Sequence, residues 1–273
     1  SELMDLLIQA AKAGKEVTVV VELRARFDEQ TNMDWAAQLE AVGAHVSYGV
    51  PRYKTHAKML LALRREEEGL RRYVHLSTGN YHPGTARFYT DFGLFTADEA
   101  IGQDVEQVFS QLTGLGEARC LQRVVQAPFN LHETLLDAVR YETAQAQAGQ
   151  KAHIMAKMNT LLEPRLIQAI YAASQAGVKV DLIVRGACAL RAGVVGLSEN
   201  IRVISIVGRF LEHARVYYFY QGGAKKMYLS SADWMPRNFF RRVEVAVPIQ
   251  SKRIQSSFMI ESFTYSLTDN QLA

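Results

Sequence analysis

RYKTHAKMLLALRREEEGLRRYVHLSTGNYHPGTARFYTD, residues 52–91, decides how the rest of the 273-residue chain is read, because its parts return in the same order further on. A His-Ala-Lys triplet (His56, Lys58) opens an apolar run, LSTGN ends at Asn80, and Asp91 follows eleven residues later. In the second copy a His-Ala-Arg triplet (His213, Arg215) opens an apolar run, LSSAD ends at Asp233, and Glu244 again follows eleven residues later. The approach to each copy corresponds too: a helix, an Ala-Gly stop (Ala13-Gly14, Ala176-Gly177), a strand-like run (17–23, 178–184) and an arginine (Arg26, Arg185). Duplication about a twofold axis brings equivalent positions together, so the repeat predicts two histidines facing one cleft.

Outward from this stretch, apolar residues at 3, 6, 7, 10 and 11 lie on one helical face that stops at Gly14. The β-branched run 17–23 reads as a buried strand, 34–42 as a helix, 44–48 as a strand and 56–63 as the strand that carries His56. The polar segment 64–72 reads as a solvated hairpin tip between that strand and its return at 73–76, with a strand at 92–95 and a helix at 104–112 to follow. Beyond the connection GLGEARCLQRVVQAP come a helix over 131–147, a strand over 153–159, a helix over 163–177 and a strand over 178–186. IRVISIV, FLEHARVYYFY, KKMYLSS and VEVAVPI supply four more strands. Such alternation predicts an α/β fold with a largely parallel sheet in each half and a boundary near residue 124, giving domains 1–124 and 125–273. The second half has a strand before its helix 163–177, and nothing precedes Leu3 in that role, so the first domain is expected to lack its N-terminal edge and the chain to begin inside a longer protein.

Composition narrows the classes. An apolar share of 48% with 22% charged residues and a net charge of +3 describes a globular protein without a polycationic tail. Cys120 and Cys188 form no CxxC pair and read as small hydrophobes suited to a reducing cytoplasm. No apolar run reaches the roughly 18 residues of a membrane span, and the acidic amphipathic start is unlike a signal peptide. Association with a membrane surface is left open.

His45, His75, His82, His132 and His153 lack repeated counterparts and read as structural. For His56 and His213 a metal would ask for further ligands that neither triplet supplies at the usual spacing. Lys58 and Arg215, two residues along, instead attract an anion, and a neutral imidazole can attack phosphorus while a second one stabilises or protonates its oxygens. Asp91 or Glu244 could hold the far ring nitrogen and fix the tautomer. His213, with Glu212 before it, Arg215 beside it and Asp233 in place of an amide, is expected to carry a proton.

HxK with a downstream G-x-N resembles the phospholipase D superfamily. RYKTHAK, STGNYHPGTARFYTD, MNTLLEP, VRGACALR, GLSENIRVISIVGRFLEHAR and SSADWMPRN are similar, segment after segment, to bacterial polyphosphate kinases across essentially the whole chain. The resemblance implies two tandem phospholipase D-like domains related by an approximate twofold, the catalytic half of an enzyme whose N-terminal and head domains lie elsewhere. It implies reversible transfer of the ATP terminal phosphate to polyphosphate, with His56 as the phosphorylated nucleophile and His213 as the second essential histidine, also in contact with phosphate. It further implies Tyr89 stacked on adenine, Arg185 on the nucleotide phosphates, and Arg26 in the phosphate region with Mg²⁺. Lys58, Asn80, Asp91, Arg215, Asp233 and Glu244 would support the chemistry. The implied partners are ATP, ADP and polyphosphate, with homo-oligomers for the full-length enzyme and no nucleic acid. Arg215 and Asp233 depart from the superfamily's lysine and asparagine.

Other readings stand beside this one. Tyr89 could be core packing, Arg26 and Arg185 structural arginines, and Lys58 a salt-bridge partner of Asp91. The site could discharge its intermediate to water or an alcohol, as a phosphodiesterase does, or the chain could bind polyanions without turnover.

Overall fold

A computed structural model describes residues 2–22, 29–116 and 121–268. The first half runs α1 (Glu2–Lys12), β1 (Thr18–Val20), α2 (Glu29–Ala41), β2 (His45–Ser47), β3 (Lys54–Thr55), β4 (Lys58–Glu66), β5 (Gly69–Ser77), α3 (Pro83–Ala86), β6 (Tyr89–Thr90), β7 (Gly93–Thr96) and α4 (Glu99–Leu112). The second runs β8 (Val125–Ala127), α5 (Leu131–Gln147), β9 (His153–Met158), α6 (Pro164–Gln175), β10 (Lys179–Val184), β11 (Ile201–Ile204), β12 (Leu211–Glu212), β13 (Val216–Phe219), β14 (Lys226–Ser230), α7 (Pro236–Phe240), β15 (Arg242–Pro248), α8 (Lys252–Phe258) and α9 (Tyr265–Thr268).

The class is α/β, as the alternation of elements predicts, but the expectation of largely parallel sheets is corrected. One sheet runs β11-β10-β9-β13-β14-β15-β3, with β8 also on β15. It is parallel from β11 to β9, where α6 provides a crossover, and antiparallel from β9 through β13 and β14 to β15. The reason is connection length: β13 and β14 are joined by a tight turn at Gln221–Gly223, which permits only an antiparallel pair. Within the first half β4, β5 and β7 are antiparallel throughout, and the short pair β1-β2 is the only parallel one among the described residues. The tip of the β4–β5 hairpin is narrower than the charge pattern suggests. Pairing continues to Glu66 opposite Gly69, so the turn is Glu67-Glu68 and the arginines lie along the strands.

Two further corrections matter for function. The strand expected to start at His56 starts at Lys58 and is preceded by a short strand where a loop was expected, and the run expected as one strand through His213 is broken at the histidine. Before His56, β3 pairs with β15 of the second half; after it, β4 pairs with β5 of its own half. Before His213, β12 pairs with β6 of the first half; after it, β13 pairs with β9 and β14 of its own. Each histidine therefore sits where the chain crosses from one half to the other.

The core joins the halves as well. On one face of the large sheet Leu135, Val139, Ile154, Ile170, Leu182 and Trp234 pack under α5 and α6. On the other, Val74, Leu76 and Val105 of the first half pack with Met155, Val216 and Val247 of the second. Ile154 and Met155 fall on opposite faces because side chains alternate along a strand. Among the described residues no helix is long and apolar enough to cross a membrane.

Candidate active site

The two breaks bring the repeated residues together, but crosswise. His56 Nδ1 lies 2.8 Å from Glu244 Oε2, and His213 Nδ1 lies 2.8 Å from Asp91 Oδ1. Each histidine is thus oriented by the carboxylate of the other half, which neither the spacing nor the motif copies suggest. Carboxylates only accept, so Nδ1 carries the proton in both rings and Nε2 keeps its lone pair.

A hydroxyl supports each carboxylate at equivalent places in the repeat. Thr78 donates to Asp91 Oδ1 (2.6 Å) and accepts from the Phe92 N–H (3.0 Å). Ser231 donates to Glu244 Oε2 (2.5 Å) and accepts from the Val245 N–H (3.1 Å). Close approach explains Gly79 in STGN: a Cβ there would fall 2.3 Å from Asp91 Oδ2. Glu244 is fully buried and also accepts from Asn238 Nδ2 at 2.5 Å.

The cationic residues are drawn in tightly. Lys58 is 6% exposed and its Nζ donates back to the His56 carbonyl (2.5 Å), while Arg215, 3% exposed, donates from Nη1 to the His213 carbonyl (2.7 Å). Lys58 forms no ion pair with Asp91 within 4.0 Å among the described residues, so that alternative is set aside. Arg215 clasps Asp233 with two arms, Nε to Oδ1 (3.2 Å) and Nη2 to Oδ2 (3.1 Å), and places Nη1 3.0 Å from His213 Nε2. The change from Asn80 to Asp233 follows from this partner, since a guanidinium in the second copy takes an acid. Asn80 itself is exposed, and its carbonyl accepts from the His82 N–H.

Burial governs the protonation states. It lowers His56 to about 4 against the pull of Glu244, with Lys58 and Arg215 adding to the shift. Burial also lowers Lys58 to about 7. His213 is lowered by burial too, with Asp91 opposing and Arg215 adding, so the expectation of a protonated His213 is corrected. The acids counted towards it are committed elsewhere: Glu212 to Lys157 at 2.5 Å, Asp233 to Arg215 and to the Asn159 N–H at 2.8 Å. The Lys58 charge acts on His213 and that of Arg215 on His56, so the two rings belong to one electrostatic unit.

Of the residues assigned to the nucleotide, Tyr89 lies with its ring 5.0 Å from that of His213. Arg185 donates from Nε to Asn159 Oδ1 (3.0 Å), and Asn159 in turn reaches the His213 carbonyl. Arg26 and Cys120 lie outside the described residues. No group of three or more His, Cys, Asp or Glu suited to a metal occurs among the described residues, and the site's carboxylates are engaged by histidine or arginine.

Four of the remaining histidines hold structure: His75 meets the Tyr81 hydroxyl (2.8 Å), His82 caps α3, His132 lies with Nε2 3.1 Å from Glu163 and His153 pairs with Asp181. Residues that the sequence reading passes over are Thr78, Ser231, Asn159, Asn238 and Lys157. The two hydroxyls are within reach, since both stand two places before Asn80 or Asp233 in the repeat; Lys157 on β9 and Asn159 just after it carry no such signal.

Residues 1–118 match the family model for polyphosphate kinase C-terminal domain 1 and residues 124–273 that for C-terminal domain 2. Among curated proteins the chain is 63% identical to polyphosphate kinase of Burkholderia vietnamiensis over 277 aligned positions, covering 100% of this chain and 40% of that protein. It is 62% identical to polyphosphate kinase of Paraburkholderia phytofirmans with the same coverage. The crystal structure of polyphosphate kinase from Porphyromonas gingivalis superimposes with a TM-score of 0.90 at 36% identity, over 99% of this chain and 41% of that one. The chain spans about 40% of the length of the curated relatives it matches. On matches that together take in both halves and the crossed site between them, the chain belongs to the polyphosphate kinase family.

Proposed function

We propose that the crossed site carries reversible transfer of the terminal phosphate of ATP to inorganic polyphosphate, through a phosphohistidine at His56. The supporting observation is the pair of neutral imidazoles, each with Nδ1–H held by a buried or half-buried carboxylate and with Lys58 and Arg215 beside them. His56 is the nucleophile because Arg215 Nη1 already stands against Nε2 of His213.

In the forward direction His56 Nε2 attacks the γ-phosphorus, the bond from that phosphorus to the β-γ bridging oxygen breaks, and ADP leaves with the electron pair. A terminal oxygen of polyphosphate then attacks the same phosphorus, the N–P bond breaks, and Nε2 recovers its lone pair. Glu244 offsets the positive charge that the ring gains while phosphorylated. Lys58 and Arg215 hold the oxygens in transfer, and an incoming phosphate anion raises the His213 pKa so that it can take up and return a proton. Tyr89, on β6 beside His213, stacks on adenine; Arg185 and Arg26 bind phosphate oxygens; Mg²⁺ enters as MgATP.

On this reading the chain divides into domains 1–124 and 125–273 with the site between them, and the full-length enzyme is a homo-oligomer that works in the cytoplasm. The test is to incubate the full-length protein with γ-labelled ATP and Mg²⁺. Acid-labile, base-stable label on His56 that polyphosphate discharges is the expected result. Label that only water or an alcohol discharges would point to a phosphodiesterase, and no label at all to a binding module.

A further inference from the structure

Residues 80–91 align on 233–244 without a gap, and among the positions at which the halves differ is Thr85 in the first against Asn238 in the second. The Thr85 hydroxyl turns back to its own helix and donates to the His82 carbonyl at 3.1 Å. Asp91 is accordingly hydrogen-bonded by Thr78 and His213 side chains only, among the described residues. Asn238, 1% exposed on α7, instead donates to Glu244 Oε1. Because a carboxylate cannot donate, the amide must present its nitrogen there, and its Oδ1 is left buried without a partner among the described residues. With Asn238 on Oε1, and Ser231 and His56 on Oε2, both oxygens of Glu244 are fixed and the carboxylate cannot turn about its terminal bond. His56, Lys58 and Arg242 are the titratable or charged groups that face Glu244, with Arg215, Arg237 and Asp233 beyond them.

We propose that Asn238 is a positioning residue that locks the Glu244 carboxylate and thereby keeps His56 in the Nδ1–H tautomer with Nε2 open for attack. The assignment rests on the reading of His56 as nucleophile, and it accounts for a functional difference between two histidines that the repeat makes look alike. Asp91, a fifth exposed at its side chain and without a second amide donor, holds His213 less rigidly.

The test uses full-length protein in three forms: Asn238→Leu, similar in size and without a donor; Asn238→Asp, which donates only while its carboxyl is protonated; and Thr85→Ala as the control. Heteronuclear NMR of labelled histidine reads the His56 tautomer, and rapid-quench labelling reads phosphohistidine formation at saturating ATP. Wild type and Thr85→Ala should show the Nδ1–H form and equal rates. Asn238→Leu should show mixed tautomers and labelling slower by about 10- to 100-fold, the usual effect of removing an outer orienting partner, with ATP affinity unchanged. Asn238→Asp should be slow at high pH and recover as pH falls, a response that a packing defect would not produce, and it carries the test if the leucine variant does not fold. An unchanged tautomer with wild-type labelling in Asn238→Leu, or a pH profile of Asn238→Asp parallel to wild type, overturns the proposal. If wild type takes no label, the phosphohistidine reading fails while the tautomers still decide the role of Asn238.

Discussion

Replacing Glu244 by glutamine keeps its shape and removes its charge, and the structure determines which way the new amide must face. With Asn238 Nδ2 kept on the Oε1 side, the glutamine oxygen points there and its NH₂ points at Ser231 and His56. An N–H facing Nδ1 inverts the tautomer: the lone pair moves to Nδ1, and Nε2, the attacking atom of the proposed mechanism, acquires the proton. To react, the ring must return to the Nδ1–H form with two buried donors opposed, each unmade bond costing about 1–3 kcal/mol. The sum of about 2–6 kcal/mol corresponds to between about 30-fold and 10⁴-fold in rate, and a comparable inversion in a serine hydrolase triad costs about 10⁴. Rapid-quench labelling of full-length Glu244→Gln from γ-labelled ATP measures this directly, with equilibrium nucleotide binding as the control. Labelling at the wild-type rate with His56 still in the Nδ1–H form would refute the crossed-pair argument.

The mirror variant Asp91→Asn should form phosphohistidine but pass it to polyphosphate slowly, by the roughly 10²–10⁴ of lost acid-base help; a chase of prelabelled enzyme with polyphosphate separates the two steps. Because burial lowers His56 to about 4, labelling should hold its rate as pH falls through 6.5 and fail only near 4. The same depression means that the unfolded chain binds more protons than the native one between those values, so folding stability should decline as pH falls from 6.5 to 4, read by denaturant titration. Lys58→Met removes a buried ammonium whose pKa is lowered to about 7, and should raise the melting temperature by about 2–4 °C for each kcal/mol recovered while abolishing transfer. Arg185→Lys keeps the charge and loses the planar fork, so ATP affinity should fall; calorimetry giving wild-type affinity would remove Arg185 from the phosphate site.

Much of this fold is written locally and much of the site is not. The helix over 131–147 stands as read, ended by Gly149 at φ 71, since periodicity and a left-handed stop are properties of neighbouring residues. The helix expected at 104–112 begins earlier, at Glu99, where Asp98 caps the Ile101 N–H. Strand direction is not legible in this way, because alternation of elements does not distinguish a crossover from a tight turn such as Gln221–Gly223. The histidines and their carboxylates were legible as a repeat, but which carboxylate meets which ring depends on a contact between residues 188 apart for His56 and 122 apart for His213. The charge on His213 is not legible locally for the same reason: Glu212 and Asp233 are near it in the chain, and their partners Lys157 and Arg215 take them up.

The crossing also explains why the two halves share one sheet and one core. Glu244 is fully buried, and an ionised carboxylate there is tolerable only with donors on both oxygens, one of which is the His56 ring from the first half. Asp91 takes its imidazole from the second half on the same principle, while β3 on β15 and β6 on β12 bring the backbone across beside each pair. A half taken alone would leave its own acid short of a donor and its own histidine without an orienting partner. Stability and chemistry thus draw on the same four side chains. The copies differ around those pairs, as in Lys58 against Arg215, Asn80 against Asp233 and Thr85 against Asn238, and within them in Asp91 against Glu244, while each pair keeps a histidine and a carboxylate.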